Sequence, residues 1–272
     1  MKKVQKQMIK EALDTPDKFN IKQKAGYLAS MVPESSDWLI AIPSSSTSTF
    51  IPKTSFEYAC RYRLGLPSHD IDTEDCCLCS KKEAVENDSW HYLSCMRALG
   101  GNKITARHHG IRNVLANYAT KAGAVVETEP SHCFAGASLK RPDLEVIMDG
   151  KRYFIDATVV RPSNLSNVNY GQVLLGAAAN KEKLKTAKYG KESKDVGAVF
   201  VPFVIESYGG LATQAKEFIK TLGVWSQEHG ATISTYDLIS GLRYAISCIF
   251  QRGNGLIMQT GRVRTSLYNA DY

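Results

Sequence analysis

The chain has 272 residues, 43% of them apolar and 22% charged, a composition that suits a folded globular protein and excludes a disordered or fibrous one. Its length allows one large domain or two modest ones. Lys and Arg number 34 against 27 for Asp and Glu, a basic excess compatible with a nucleic-acid partner but too small to establish one. No run approaches the ~18 consecutive apolar residues that a membrane-spanning helix requires. Met1-Lys2-Lys3-Val4-Gln5-Lys6 carries neither an apolar stretch nor a cleavage site, which reads as no signal peptide and an intracellular chain.

Residues 3–14 and 20–31 have the spacing of two short amphipathic helices, the second with Asn20 as its N-cap. An apolar segment over 36–43 is stopped by Pro43, and the Ser/Thr run 44–49 reads as a surface loop. The spacing predicts a helix over 54–64 that carries Arg61 and Arg63 and ends at Gly65-Leu66-Pro67.

Seven cysteines follow an uneven distribution, with four between Cys76 and Cys95. In an intracellular chain, clustering favours metal over disulfides. Cys76, Cys79, His91 and Cys95 spell C-x2-C, eleven residues, then H-x3-C. Tetrahedral zinc takes such a set, thiolates and one imidazole from two short-range pairs. The plainer reading is a group of small buried hydrophobes.

A long helix is predicted over 102–122, with His108, Ile111, Leu115, Tyr118 and Ala122 on one face. His108 is then either a satisfied core histidine or, with Arg107, the border of a site that touches phosphate. Strands are predicted over 124–130, 142–148 and 152–160, the last two joined by an Asp149-Gly150 turn. Next come a helix over 171–189, a strand over 196–207, and helices over 209–228 and 235–252. A basic, weakly structured tail with Arg262 and Arg264 follows Gly253. The order implies an α/β fold, a mixed sheet flanked by helices. The expected divisions are a helical region 1–70, the knuckle 71–100, a core 101–252 and the tail 253–272.

Asp143 begins the second strand and Asp156 lies within the third, between Ile155 and Ala157. A carboxylate in such surroundings needs a cationic partner. The hairpin brings both acids to one edge, where they can share Mg²⁺ or Mn²⁺, the usual ions of phosphoryl chemistry. Strand alternation puts Asp156, Thr158 and Val160 on one face, so the place two residues after the second acid holds threonine and not lysine. The following helix offers a replacement. At ~100° per residue, Leu174, Leu175, Ala177, Ala178, Leu184 and Tyr189 define an apolar arc with Lys185 near its middle. Lys181 is the second candidate, and Lys183 points to solvent. The plainer reading of Lys185 is a snorkelling side chain or a structural salt bridge with Asp156 or Glu182.

These residues resemble the restriction-like endonuclease region that follows the reverse transcriptase in certain non-LTR retrotransposon proteins. The resemblance covers roughly 36–230 and rests on ordered elements: Trp38-Leu39, Ala41, Pro43, Arg63-Leu64-Gly65-Leu66-Pro67, the Cys76/Cys79/His91/Cys95 knuckle and Arg107-His108. It continues through Glu129-Pro130, Arg141-Pro142-Asp143, Asp156-Ala157-Thr158-Val159-Val160, Glu182, Lys185, Lys188-Tyr189, Phe200, Pro202, Glu206 and Gly209. It implies a PD-(D/E)xK-type core, structural Zn²⁺ in the knuckle, and Mg²⁺- or Mn²⁺-dependent cleavage of DNA. A nuclear setting and contact with the element's RNA go with it. The lysine is implied on the helix, at Lys185. Where the family commonly has an acid after the Arg-His pair, this chain has His109, and it carries no reverse transcriptase.

On this reading Asp143, Asp156 and Lys185 are catalytic, and Glu129 completes the metal shell or the water network. The alternative for Glu129 is an exposed charge at a strand end. Arg61, Arg63, Arg107 and His108 are the candidates for phosphate contact, with solvated surface charge as the alternative for the arginines. Two rival functions share the core: a catalytically decayed nucleic-acid-binding module and a stand-alone junction-resolving nuclease.

Overall fold

The computed structural model describes residues 19–68, 88, 90–95, 102–131, 133–134, 140–230 and 233–270, with side chains described up to 261. The helix expected over 3–14 and the first knuckle pair, Cys76 and Cys79, lie outside the described residues.

Strands β1 (Val125–Thr128), β2 (Leu144–Met148), β3 (Lys151–Val160) and β4 (Ala198–Glu206) form one sheet in that order. β1, β2 and β3 are antiparallel neighbours, and β4 runs parallel to β3. The helices are α1 (Ile21–Ser30), α2 (Asp37–Ile40), α3 (Lys53–Arg63), α4 (Asn102–Lys121), α5 (Gly176–Asp195), α6 (Thr213–Glu228) and α7 (Thr235–Ala270). The fold is therefore α/β, with a mixed sheet. No helix among the described residues is long and apolar enough to cross a membrane.

Alternation along β3 sorts its side chains between two layers. Tyr153, Ile155 and Ala157 pack with Ile111 and Leu115 of α4, Leu222 of α6, and Leu242 and Phe250 of α7. Phe154 packs with Tyr189 of α5, and Val160 with Ala177 and Ala178 of the same helix. A strand covered on both faces reads as a nearly continuous apolar run, as this one does. Each fully buried large side chain contributes about 1.5–3 kcal/mol. Asp149 and Gly150 both take positive φ, 49° and 73°, as the predicted two-residue turn requires. Pro202 sits inside β4, and its missing N–H is tolerated because β4 is an edge strand.

Three helix boundaries differ from the sequence expectation. The helix expected from 209 begins at Thr213, and the other two differences have a packing reason. The helix expected from 171 begins at Gly176, after Leu175 in the left-handed region (φ 55°). At Gly176 a Cβ would lie 2.1 Å from the Tyr170 carbonyl oxygen, so only glycine fits there. The tail expected to be weakly structured beyond Gly253 instead continues α7 to Ala270. Gly253 reads as a helix end because glycine disfavours helix by about 1 kcal/mol. Here it marks a close approach: a Cβ at Gly253 would lie 2.6 Å from Arg107 Cγ. Helix α7 also carries the N-terminal helices. The Asp37 carboxylate receives Arg243 Nε and Nη2 at 3.0 and 2.9 Å, and the Trp38 N–H donates to Ser247 Oγ at 3.1 Å.

Two buried carboxylates close helix N-termini whose own N-cap residues supply no side-chain acceptor. Glu206, 1% exposed, accepts from the Ala178 N–H at 3.1 Å. Glu182 of α5 accepts from the Gln214 N–H of α6 at 2.8 Å. Such partners satisfy otherwise orphaned donors and favour the helix dipole. Asn20 caps α1 by itself as predicted, in a reciprocal pair with Gln23.

Burial pushes the Glu206 carboxyl up from its ordinary 4.5 to about 7, against the lowering effect of the Ala178 N–H. Between those values the unfolded chain releases the proton and the folded chain keeps it. Stability from this group is complete below about pH 4.5 and is lost as pH rises towards 7. Glu206→Gln keeps an acceptor for Ala178 and removes the titration. Denaturant titrations at acid and mildly alkaline pH should show the variant gaining on the native chain at the higher pH, by on the order of 2–3 kcal/mol. A stability difference independent of pH would contradict this account.

Candidate active site

The site forms where α4, the β2–β3 hairpin and α5 meet. The register pairs Leu144 with Ile155, and one further step sets Asp143 against Asp156. Backbone bonds extend beyond the ladder here: the Asp143 N–H donates to the Ile155 carbonyl at 2.9 Å, and the Glu129 N–H to the Asp143 carbonyl at 2.9 Å. Asp143 Oδ2 accepts from the Ala157 N–H at 2.6 Å, and Oδ1 lies 3.0 Å from His108 Nε2. The first acid is thus oriented by a strand amide on one side and a helix imidazole on the other.

Asp156 is 5% exposed, on the β3 face that α5 covers. Its Oδ2 receives Lys185 Nζ at 2.7 Å and Thr158 Oγ1 at 2.9 Å. Oδ1 has no hydrogen-bond partner among the described residues. Lys185 follows Ala178 and Glu182 and precedes Tyr189 at spacings of seven, three and four on the stripe of α5 that meets the sheet. The apolar markers expected to define that stripe are partly different. Leu174 precedes the helix and Leu184 faces outward, each 58% exposed. Lys183 is exposed, as expected, and Lys181 is half-buried.

Asp143, Asp156, Thr158, Lys185, His108 and Arg107 line one cavity of about 390 Å³, together with Ile104, Thr105, Ala157 and Val159. A larger cavity of about 540 Å³ lies between α1 and Tyr62, Trp90 and Tyr208. There Arg161 and Asp88 are paired with each other, and Tyr62 stacks on Tyr208 at 4.1 Å. Its charged and aromatic groups are largely engaged within the protein, so the smaller cavity is the better candidate for chemistry.

His108 is half-buried. The hydrogen bond to Asp143 raises its pKa above the ordinary range, burial opposes this, and the charges of Asp143 and Asp156 add to the rise. The imidazole thereby favours the donor role towards Asp143. It is a core-face histidine and a site residue at once.

Four further candidate residues have these surroundings. Glu129 lies outside the cavity lining and is held by Arg112, Arg141 and His109. Arg107 lines the cavity but is 6% exposed. Its Nη1 donates to Asn254 Oδ1 at 2.7 Å and its Nη2 to the Leu93 carbonyl at 3.4 Å, so it ties α4 to α7 and is no solvated surface charge. Burial lowers its pKa to about 10. Arg63 donates to Ser35 and Ser36. Arg61 Nε donates to the Pro67 carbonyl at 3.3 Å. The knuckle's second pair sits at a 3-10 turn, His91–Ser94, followed by Cys95, which packs with Tyr92, Leu93, Ile257 and Met258. Arg112 escaped the sequence reading. Its signal was position, four residues after His108 and on the same helix side.

Comparison of the sequence with family models and with curated proteins finds no match.

The Lys185–Asp156 pair is 20% and 8% exposed, so removing one partner leaves a buried charge. Lys185→Met should lower stability by on the order of 2–4 kcal/mol, and adding Asp156→Asn should restore much of it. Strictly additive losses in urea titrations would mean that the two side chains do not depend on each other.

Proposed function

We propose that this chain is a metal-dependent DNA endonuclease with a PD-(D/E)xK-type core, of the kind found in non-LTR retrotransposon proteins. One observation carries the reading: Asp143, Asp156 and Lys185 meet in one cavity, with the lysine delivered from α5 to the strand position that Thr158 leaves without a cation. The mixed four-stranded sheet with a helix between β3 and β4 is compatible with that core.

The residues present fit a divalent cation. Two hard oxygen donors line the cavity, and Asp156 Oδ1 is unengaged among the described residues. Asp143 and Asp156 would hold Mg²⁺ or Mn²⁺, which when bound lowers the pKa of water and offsets phosphate charge. The protein's own groups do the rest. His108 and the Ala157 N–H keep the Asp143 carboxylate in a fixed orientation. Lys185 keeps a positive charge at the cavity wall, where it can donate to a phosphate oxygen as negative charge builds up. Water forms the new bond to phosphorus and the P–O ester bond breaks, leaving a phosphomonoester and a hydroxyl.

The rival reading, a binding module without catalysis, draws on the protein donors that already engage Asp143, one on each oxygen. A plasmid nicking assay with Mg²⁺, Mn²⁺ or EDTA separates the two. The nuclease reading expects nicking with either ion and none with EDTA. Asp156→Ala and Lys185→Met should each lose at least about 100-fold in rate. Cleavage without metal, or undiminished cleavage by Asp156→Ala, would overturn it.

Cys76, Cys79, His91 and Cys95 would hold a structural Zn²⁺. The support is their chemistry and spacing. Elemental analysis of the freshly purified chain should find about one zinc per molecule, lost in Cys79→Ser. Zinc-free native protein would sink this assignment.

A further inference from the structure

We propose that Arg112, Arg141 and His109, gathered on the carboxylate of Glu129, form a binding site for a backbone phosphate of duplex DNA beside the cavity. The proposal deepens the nuclease reading and rests on it for the identity of the ligand.

The sequence leaves Glu129 as a member of the metal shell or water network, or as an exposed charge at a strand end. Its surroundings point elsewhere. Arg112 Nη1 forms an ion pair with Glu129 Oε1, Arg141 Nη2 lies 3.2 Å from Oε2, and His109 Nε2 lies 3.8 Å from Oε1. One carboxylate therefore faces two permanent cations and an imidazole, and the cluster keeps a net positive charge. The cations are also graded outward. The Arg112 side chain is 13% exposed and is braced by Asn113 Oδ1, which accepts from its Nε and Nη2 at 3.1 Å. Arg141 is 55% exposed and His109 44%. A guanidinium has five N–H donors, and the described contacts of Arg141 engage one nitrogen. The remainder faces solvent in the fork that suits phosphate oxygens.

The backbone fixes this cluster to the cavity. Glu129 holds φ at 49°, a conformation that non-glycine residues seldom adopt and that persists only where the surroundings enforce it. Its N–H is bound to the Asp143 carbonyl at 2.9 Å. Arg141 precedes Asp143 by two residues in the chain. Helix α4 supplies both places from one side, His108 to Asp143 and Arg112 to Glu129. A phosphate at the cluster would be held by the same helix and strand end that build the cavity. Glu129 is then a positioning residue that sets the cations apart and tempers their charge.

The test is equilibrium binding of a fluorescent DNA duplex in EDTA, between about 50 and 200 mM salt, which separates binding from cleavage. Arg141→Ala should weaken binding several-fold and reduce the slope of log K against log salt by about one. Arg141→Lys should restore the slope. Glu129→Gln, which removes the carboxylate of the cluster, should tighten binding. Arg141 is exposed, so its truncation leaves the core intact. An unchanged slope in Arg141→Ala, weaker or equal binding in Glu129→Gln, or no duplex binding by the native chain would each overturn the proposal. If the slope is unchanged while Asp156→Ala abolishes nicking, the phosphate site fails and the nuclease reading stands.

Discussion

A carboxylate on the middle of a strand that is covered on both faces is the constraint around which this molecule is arranged. Asp156 shares its strand with Phe154 and Ile155, both fully buried, and an unpaired charge there would be costly. Lys185 answers it at 2.7 Å from another element. Helix α5 must therefore lie across β3 in one rotation and at one height. Ala177 and Ala178 allow the close approach next to Val160, and Tyr189 closes the far end against Phe154.

The same helix is anchored at its start by a second buried carboxylate. Glu206, at the end of β4, accepts the Ala178 N–H, and Glu182, one turn before Lys185, caps α6 in turn. Sheet, α5 and α6 are thus linked by three acids, one paired with a cation and two with helix amides. Burial raises the carboxyl pKa of both capping acids, most strongly for Glu206. The strand edge, the crossover helix and the helix after it form one polar chain through an apolar interior, and breaking any member leaves a buried group unmatched.

The alternation of β3, the Asp149-Gly150 turn, the 3.6-residue stripe of α4 and the cap at Asn20 were all legible in the sequence, because each is decided by local geometry. Lys185 was legible too, although two of the leucines used to find it face solvent. The reason is that the inward stripe is marked by Ala178, Glu182 and Tyr189, and the buried glutamate carries no apolar signal. What could not be read depends on contacts between distant segments. Gly253 looks like a terminator until Arg107 is seen packed against it. Arg107 and Arg63 look like surface charge until Asn254 and Ser35 are seen to receive them. Glu129 looks like a third acid for a metal, and only the meeting of α4 with the β1 end reveals its three basic neighbours.

On the proposed nuclease reading the lysine comes from a helix and not from a strand, and this changes what controls its position. A strand lysine two residues after the acid is fixed by the ladder, whose register is set by many backbone bonds. Lys185 is fixed by how α5 is seated, and that depends on side-chain packing at Ala177 and Ala178 and on the Glu206 cap. Displacements of about 1 Å in catalytic groups can reduce rates by two orders of magnitude. The seating of Lys185 is therefore sensitive to residues that do not line the cavity. The Thr158 hydroxyl donates to Asp156 Oδ2 at 2.9 Å, on the oxygen that also receives Lys185. The acid is oriented by the strand and the cation is delivered by the helix. Their 2.7 Å contact is the point at which, on the proposed reading, errors in packing would become errors in chemistry.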